Sequence, residues 1–269
     1  MTVDSPYLVK PGKKFSLKKI ATDDRGDFKD KDDAKGATQK NLDKLDELQE
    51  VLYAGARHAV LIVFQAMDCG GKDGAIEHIF SGINPQGCSV TSFKQPTRLE
   101  LAHDFLWRHE CATPPKGMIG IHNRSHYESV LVERVLKLVP KEVWRKRYDA
   151  INTFEKRLVD EGTTIVKFYL HISKKEQADR LRARLDDPAK HWKFDPGDLE
   201  TRKQWDDYIE AYEDALGNCS TDDAPWYVVP ADHKWFRNWV VSDILVRTMK
   251  KLDLKFPPAA PGLDKIKVI

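Results

Sequence analysis

Short apolar runs alternate with segments of helical period along most of the chain. Residues 59–64, AVLIVF, contain no polar side chain, which is typical of a strand covered on both faces of a sheet. Before them, leucines recur at three- and four-residue steps across residues 38–52 and predict a helix. The other predicted strands are residues 89–93, 118–122, 164–170 and 226–229, and the other predicted helices are residues 99–110, 130–138, 143–160, 174–185, 199–216 and 235–252. This alternation predicts an α/β fold in which helices flank a five-stranded parallel sheet.

Three stretches of biased composition set the predicted domain boundaries. Residues 1–37 are rich in Lys, Asp and Gly and predict a flexible arm or surface wrap that lies outside the core. Residues 38–255 form the predicted domain. Inside it, residues 186–205 begin with a long charged loop that carries two prolines, which is typical of a functional lid or a disordered segment. Residues 256–269 are proline-rich and predict an extended tail.

Composition and charge exclude some classes of protein. The chain has 269 residues, of which 41% are hydrophobic and 32% charged, as in soluble globular proteins. The formal net charge is only +2, so binding to nucleic acid is not indicated, and a polyanion partner would require local clustering of cations. No apolar run approaches the ~20 residues of a membrane span. The four cysteines form no CxxC pair and fit free thiols in a reducing cytoplasm, where we expect the protein to be.

The first apolar run leads into AMDCGGKDG, residues 66–74, and then into a further predicted helix. Glycines let the backbone approach an anion, amides at a helix N-terminus point toward it, and Lys72 supplies positive charge. Against the phosphate-loop pattern GxxxxGK(S/T), Ala66 replaces the first glycine and Asp73 replaces the hydroxyl residue. A bare GGK is also a structural turn, but the strand–loop–helix order favours phosphate binding. The predicted phosphate loop comprises Cys69, Gly70, Gly71, Lys72, Asp73 and Gly74.

The two carboxylates of this loop have different predicted roles. The hydroxyl residue that the pattern lacks ligates magnesium in such sites. Magnesium also accepts one or two carboxylates, with phosphate oxygens and water filling the remaining positions. Asp68 is therefore the predicted metal ligand, and the alternative is that it only caps the loop by accepting backbone amides. Asp73 lies in the first turn of the predicted helix, where a carboxylate favours the helix dipole, and we assign it that role.

A second polar motif, HNRSHYE at residues 122–128, follows the third predicted strand. Ligands of open parallel sheets bind beyond the carboxyl ends of strands, so this motif is expected to face the same crevice as Lys72. Arg124 offers a bidentate grip for a phosphoryl group. Glu128 can hold a metal or orient an acceptor, and alternatively it only matches the dipole at a helix start. The predicted catalytic residues are Asp68, Lys72, Arg124 and Glu128.

Two further cations lie near the same predicted edge of the sheet. Lys94 is in FKQPT, which closes the second strand, and Arg108 is in the helix that follows. Each of them alone would be an ordinary surface charge. The predicted nucleotide-binding residues are Lys94, Thr97, Arg108, Asn123, Arg124 and Glu128.

Cations also cluster in RLRARLDDPAKHWKF, residues 180–194, and in the lid after it. Several cations on one side of a cleft fit a polyanion or the charge that develops during phosphoryl transfer. The alternative is a solvated helix face whose cations pair with neighbouring aspartates. The predicted polyanion-binding residues are Arg180, Arg184, Lys190, Lys193 and Arg202.

Five segments of the chain together resemble the polyphosphate kinase 2 family, in order, between about residues 53 and 252. These segments are AMDCGGKDG, SFKQPT, NRSHYE, HISKKEQADRLRARLDDPAKHWKF and DDAPWYVVPADHKWFRNWVVSDIL. The loop departures noted above are features of that family. NRSHYE, in place of an opening Asp-Arg-Ser, resembles the members that accept both nucleoside mono- and diphosphates, and it puts Glu128 forward as the local carboxylate.

The resemblance implies a three-layer P-loop kinase fold similar to thymidylate kinases, with a helical lid. It implies inorganic polyphosphate as the phosphoryl donor, AMP and ADP as acceptors, with adenine or guanine as the base, and Mg²⁺ or Mn²⁺ as the metal. It also implies direct transfer without a phosphoenzyme and assembly as a homodimer or homotetramer. By position, Lys72, Asp68 and Arg124 take the core roles, and the lid cations take the polyphosphate-binding role.

We therefore expect a magnesium-dependent kinase that moves the terminal phosphoryl group of polyphosphate to AMP and ADP. An ATP-dependent nucleoside monophosphate kinase would share the loop, the arginine motif and a basic lid, and it would differ in its donor. A polyanion-binding module without turnover would instead show binding with a steep dependence on salt.

Overall fold

Five parallel strands form one sheet in this computed structural model, which describes residues 2–13, 15–263 and 266. The strands are β1 (Ala59–Ala66), β2 (Cys88–Ser92), β3 (Ile119–Asn123), β4 (Thr163–His171) and β5 (Trp226–Pro230), and their order across the sheet is β2-β3-β1-β4-β5. Every neighbouring pair is parallel. The predicted five-stranded parallel sheet is confirmed, and each predicted strand matches an observed one to within two residues at either end.

The helices fall into two packed groups that flank the sheet. Helix α10 packs against both α1 and α2, and α5, α6 and α9 contact one another. The helices are α1 (Lys31–Gly55), α2 (Lys72–Phe80), α3 (Arg98–Leu101), α4 (Trp107–Glu110), α5 (Glu128–Val135), α6 (Lys141–Asp160), α7 (Lys174–Leu185), α8 (Gly197–Lys203), α9 (Trp205–Cys219) and α10 (Lys234–Lys250). β1 lies at the centre of the sheet and all eight of its residues are buried, which explains why its sequence has no alternating pattern.

Helix α1 and the helix predicted over residues 99–110 differ in extent from the predictions. Helix α1 begins at Lys31, seven residues before the predicted start, because the Asp30 side chain accepts hydrogen bonds from the amides of Asp32 and Asp33. The helix predicted over residues 99–110 is two short helices, α3 and α4. The Asp104 side chain accepts the Leu106 amide at 2.9 Å between them, and this local bond competes with a continuous helix.

The N-terminal segment differs from the expected surface arm, because it contributes to the core. Val3, Val9 and Leu17 are at most 1% exposed and belong to the main hydrophobic cluster. The Val9 amide donates to the Trp226 carbonyl at 2.9 Å, so the segment pairs with β5 and covers an edge of the sheet. Sequence reasoning missed this contribution because these apolar residues are widely spaced within a polar stretch. Residues 1 and 14 of the predicted arm lie outside the described residues.

The lid region has its own secondary structure. Helix α7 has the predicted bounds, and a 3-10 helix over Pro188–Lys193 and then α8 follow it. The single helix predicted from residue 199 to residue 216 is instead α8 and α9, with Gln204 between them. In the predicted tail, residues 256–260 have no regular secondary structure, whereas residues 264, 265 and 267–269 lie outside the described part of the chain. Among the described residues, no helix combines the length and the apolar character that a membrane span requires.

The buried N-terminal segment generates a stability prediction. We expect Leu17→Ala to lower the free energy of unfolding by about 2–5 kcal/mol, because it removes a fully buried side chain and leaves a cavity. The control is Leu138→Ala, at a position that is 64% exposed, where we expect a change within about 0.5 kcal/mol. Urea denaturation followed by circular dichroism measures both values. Equal, small losses in the two variants would contradict a structural role for this segment.

Candidate active site

The four predicted catalytic residues lie together at the carboxyl ends of β1 and β3. These strands are direct neighbours, with Phe64 beside Asn123 in the register. The chain leaves both strands at the same edge of the sheet, so Asp68 and Arg124 meet there. Their side chains form an ion pair of 3.0 Å between Asp68 Oδ1 and Arg124 Nη2.

The phosphate loop is closely packed against its own strand and against α10. An added Cβ on Gly70 would lie 2.4 Å from the Ala66 Cβ. Gly71 has φ +94° as the residue before α2, and a Cβ there would lie 2.3 Å from Arg237 Nη1. No other residue type fits these two positions without a local shift. The loop therefore brings the N-terminus of α2 to the crevice, where its amides and dipole favour an anion.

Lys72 is the first residue of α2, and its side chain is buried in the crevice. Its Nζ lies 3.4 Å from the Ala66 carbonyl oxygen, which also accepts the Tyr212 hydroxyl at 3.1 Å. Burial, followed by repulsion from Arg124, lowers the pKa of Lys72. The nearby carboxylates of Asp68 and Glu128 act in the opposite direction and favour the charged amine. A bound anion would act in the same direction as these carboxylates and further favour the charged form of Lys72.

Arg124 is held between two carboxylates. Besides Asp68, its Nη1 donates to Glu128 Oε2 at 3.2 Å, and the attraction of Glu128 and then Asp68 raises the pKa of Arg124. Its backbone has φ +63°, which is uncommon for a residue other than glycine. The side chain remains 40% exposed, so the guanidinium is oriented by its partners and still open to a ligand.

Asp73 of the phosphate loop and Asn123 of the arginine motif contact each other. Asn123 Nδ2 donates to Asp73 Oδ1 at 2.6 Å. The sequence assigned Asp73 to the helix dipole, and its position in the first turn of α2 agrees with that role. The hydrogen bond gives Asp73 a second role, because it ties the phosphate loop to the end of β3.

Two carboxylates beside Arg124, those of Glu128 and Asp68, differ in how many of their oxygens are engaged. Both Glu128 oxygens are used, Oε1 by Gln65 Nε2 at 3.0 Å and Oε2 by Arg124. Asp68 gives only Oδ1 to Arg124, so Oδ2 is available for a metal as far as the described residues show. In the described part of the chain, no three His, Cys, Asp or Glu side chains form a preformed metal cage. Mg²⁺ does not need one, since phosphate oxygens and water complete its shell. The donor set fits a substrate-bound magnesium ion better than a resident one.

Lys94, Thr97 and Arg108 lie beyond β2, and no hydrogen bond among the described residues joins them to Arg124 or its carboxylates. Thr97 caps α3, where its hydroxyl accepts the Glu100 amide at 3.3 Å. Arg108 Nη1 donates to the Lys94 carbonyl at 2.9 Å and ties α4 to the end of β2. These contacts join the segment after β2 to α3 and α4.

The predicted lid cations divide into three sets by what they contact. Arg180 donates to the Cys69 carbonyl at 3.0 Å, and Arg184 Nη1 pairs with Asp198 at 3.3 Å, so both lie beside the phosphate loop. Arg202 donates to the Lys174 carbonyl at 2.6 Å and braces the base of the lid. Lys190 pairs with its neighbour Asp187 at 2.7 Å, and Lys193 lies over the Trp192 ring, so these two lie in the exposed part of the lid.

Sequence reasoning missed two buried residues that hold the loop. Gln177 on α7 is inaccessible to solvent and its Nε2 donates to the Asp68 carbonyl at 3.0 Å. Arg237 on α10 is 2% exposed and its Nη1 donates to the Gly71 carbonyl at 3.0 Å. Burial and then the charge of Arg180 lower the pKa of Arg237 to about 9. Arg237 follows the end of β5, so the expectation that ligands bind beyond the carboxyl ends of strands could have identified it. Gln177 gave no such signal.

Lid and loop also meet through Asp198 of α8. Its Oδ2 lies 3.3 Å from Arg184 Nη1 and 4.0 Å from the Cys69 Sγ. Burial and then repulsion from Asp68 raise the pKa of Asp198 to about 6. Asp198 therefore holds the lid beside the loop at the cost of an unfavourable position for its negative charge.

Comparisons with known proteins agree on one family. The sequence model of the family described as Polyphosphate kinase 2 (PPK2) matches residues 28–257. The AMP/ADP-polyphosphate phosphotransferase of Meiothermus ruber is 52% identical over 97% of this chain and 98% of its own length. The ADP-polyphosphate phosphotransferase of Rhodopseudomonas palustris is 46% identical over 96% of this chain and 94% of its own length. The crystal structure of polyphosphate kinase 2 from Arthrobacter aurescens TC1 superposes with a TM-score of 0.91, at 41% identity, over 98% of this chain and 97% of that one.

The position of Asp198 generates a prediction about pH. The folded state binds a proton on Asp198 more tightly than the unfolded state, because the pKa rises from the ordinary 3.8 to about 6. The resulting stability is present below about pH 4 and is lost as the pH rises through about 6. We expect the free energy of unfolding of the wild type, relative to Asp198→Asn, to fall over that range and then stay constant.

Urea denaturation at pH 4, 5, 6, 7 and 8 measures this difference. The variant Asp207→Asn, at an exposed position in the first turn of α9, controls for the loss of one negative charge. A wild-type-minus-variant difference that does not change with pH would show that the Asp198 carboxylate is not in an unfavourable environment.

Proposed function

The chain belongs to the polyphosphate kinase 2 family, and we propose that it transfers the terminal phosphoryl group of inorganic polyphosphate to AMP and to ADP, giving ADP and ATP. The relative with 52% identity is named for both acceptors, and that similarity extends over 97% of the chain. The names of these relatives favour polyphosphate over ATP as the donor. In the reaction, an acceptor phosphate oxygen bonds to the terminal phosphorus, and the bond from that phosphorus to the bridging oxygen of the donor breaks.

One observation carries the proposal: two cations, Lys72 and Arg124, lie with two carboxylates at the N-terminus of α2. Phosphoryl transfer through a loose transition state needs positioning and charge stabilisation more than covalent chemistry. We assign Lys72 and the loop amides to the phosphates at the point of transfer. We assign Arg124, which its partners orient, to the equatorial oxygens of the phosphoryl group as charge spreads over them.

Direct transfer fits the chemistry of the loop. Cys69 is the thiol of the loop, and burial raises its pKa to about 11. The thiol is therefore almost entirely neutral near pH 7, and a neutral thiol is a poor nucleophile. We propose that the acceptor phosphate attacks the donor without a phosphoenzyme.

We propose Mg²⁺ as the metal, with Mn²⁺ as the alternative ion. Asp68 would hold it through Oδ2, and Glu128 would come next if its contact with Arg124 loosened. When bound, the ion neutralises charge on the phosphate oxygens and helps to align donor and acceptor. Arg124 lies between the two carboxylates, 3.0 Å from Asp68 Oδ1 and 3.2 Å from Glu128 Oε2, and offsets their negative charge beside the proposed metal position.

The two sides of the crevice suggest where each substrate lies. Arg180, Arg184 and Arg237, together with Lys234 of α10, surround the loop on the lid side, and we assign them to the donor chain. Lys234 is near enough to Arg180 and Arg237 for their charges to lower its pKa, after burial. Anionic phosphates would relieve this repulsion. Closure of the lid would also exclude water, so that transfer competes with hydrolysis.

On the β2 side, we propose that Lys94, Thr97 and Arg108, with Asn123, bind the acceptor nucleotide, whose base is adenine or guanine. Lys190, Lys193 and Arg202 remain proposed contacts for the more distant phosphates of the donor. We also propose assembly as a homodimer or homotetramer, which sedimentation measurements would test.

The experiment that tests the function supplies long-chain polyphosphate and AMP to the purified protein with magnesium, and follows AMP, ADP and ATP by chromatography. We expect ADP to appear first and ATP to follow, with no ATP supplied. A parallel reaction with ATP and AMP but no polyphosphate is the control for the donor. Product formation only in that control would assign the chain to ATP-dependent nucleoside monophosphate kinases.

The role of Lys72 generates a further prediction. We expect Lys72→Ala to lower kcat by about 10²-fold or more, which is the loss typical of removing one electrostatic stabiliser. The matched control is Lys175→Ala on α7, where the side chain is 90% exposed. We expect the control to keep its rate. A Lys72→Ala variant with nearly the wild-type rate would remove the phosphate loop from the proposed site.

A further inference from the structure

A buried ion pair lies behind the active site, outside every role assigned so far. Lys167 of β4 is fully buried, and Glu155 of α6 is 1% exposed. Lys167 Nζ lies 2.5 Å from Glu155 Oε2. The same amine also donates to the Tyr127 hydroxyl and to the Cys219 carbonyl, both at 2.8 Å. All three donor positions of the ammonium group are therefore used inside the protein.

The second oxygen of Glu155 connects this pair to the arginine motif. Glu155 Oε1 accepts the Tyr127 hydroxyl at 2.8 Å and lies 3.1 Å from His126 Nε2. Tyr127 thus accepts from Lys167 and donates to Glu155. His126 and Tyr127 are both fully buried. They are the middle residues of the turn that joins β3 to α5.

The two ends of this turn are the residues that face the crevice. Arg124 begins it and Glu128 is the first residue of α5. The backbone of Arg124 is in the left-handed region at φ +63°, and its amide donates to the Phe64 carbonyl at 3.0 Å. A conformation that is intrinsically unfavourable persists only where surrounding contacts hold it. Glu155 supplies two such contacts from the side of the turn opposite the crevice.

Stability alone is a weak reason for this arrangement. Removing two charges from water is costly, and apolar residues of similar volume often replace a buried ion pair without loss of stability. A hydrophobic pair would fill the same space between β4 and α6, but it would leave the His126 and Tyr127 side chains without their shared acceptor. What the ion pair adds is a directed set of hydrogen bonds to these two side chains.

We propose that Glu155 and Lys167 are positioning residues for phosphoryl transfer, which act through His126 and Tyr127 to fix Arg124 and Glu128 in the crevice. This inference rests on the proposed function for its kinetic readout. Both residues of the pair are buried, so a substrate in the crevice would touch neither of them. Their effect should therefore appear mainly in kcat, which depends on the placement of Arg124 in the transition state, and less in KM.

The test replaces both charges at once, with Glu155→Met and Lys167→Met in one variant. We expect its thermal midpoint to fall only modestly, because no charge is left buried without a partner, although the buried Tyr127 hydroxyl and His126 ring lose their acceptor. We expect kcat to fall about tenfold or more, with KM for AMP and for polyphosphate changing less than kcat. A folded double variant with the wild-type kcat would overturn the proposal, because the pair would then contribute only to core packing.

If the double variant does not fold, a milder variant still tests the proposal. Tyr127→Phe removes only the hydroxyl that joins Glu155 to Lys167, and Tyr148→Phe is its control. Tyr148 is also a buried tyrosine, and its hydroxyl accepts from Arg134, at 3.5 Å from Nη1. We expect Tyr127→Phe to lower kcat several-fold at unchanged KM and the control to keep the wild-type values. Equal values of kcat in the two variants would overturn the proposal.

A crystal structure of Tyr127→Phe gives a readout that does not depend on activity. We expect Arg124 and Glu128 to separate beyond the 3.2 Å seen here between Nη1 and Oε2, or to lose a single defined conformation. An unchanged turn would overturn the positioning role. If the wild type transfers no phosphoryl group from polyphosphate, the proposed function fails, and this structure still decides whether the network holds the turn.

Discussion

Parallel pairing of β1 with β3 is the constraint on which the site depends. It carries the phosphate loop and the arginine motif to one edge of the sheet, where Asp68 and Arg124 form their ion pair. The strands contribute no catalytic side chain themselves. They are wholly buried on both faces, so a shift of register by one residue would move every side chain into the packing of the opposite face. The rigid sheet thus places the two loops at defined distances from each other.

Around this edge the protein concentrates charge that it does not fully neutralise. Lys72 and Arg237 are buried, and neighbouring cations lower the pKa of each. Among the described residues Arg237 has hydrogen bonds to neutral oxygens, those of Gly71 and Asn238, and no carboxylate partner. A cluster of this kind is destabilising in isolation, and a bound anion stabilises it. This repulsion destabilises the folded protein when no anion is bound. Because a chain of phosphates would relieve it, the repulsion also strengthens the binding of such a chain.

Several features were predictable from local patterns, and others were not. The wholly apolar strands and the glycines next to Lys72 have local signatures, and family motifs reinforced them. The core role of Val3, Val9 and Leu17 has none, because each contacts residues far along the chain. The same holds for Glu155, which looks like an ordinary charged residue of an amphipathic helix. Only its neighbours in space, His126 and Lys167, distinguish it.

The sequence by itself determined the order of strands and helices, the phosphate loop, the arginine motif and the family. These depend on short-range chemistry: apolar runs, glycine-containing turns and the spacing of charges. The tertiary structure decided which cations face the loop, which carboxylates pair with Arg124, and what supports the strained turn at Arg124. The physical reason is that such roles depend on burial and on distances of about 3 Å between distant residues. Sequence spacing does not specify those distances until the sheet has formed.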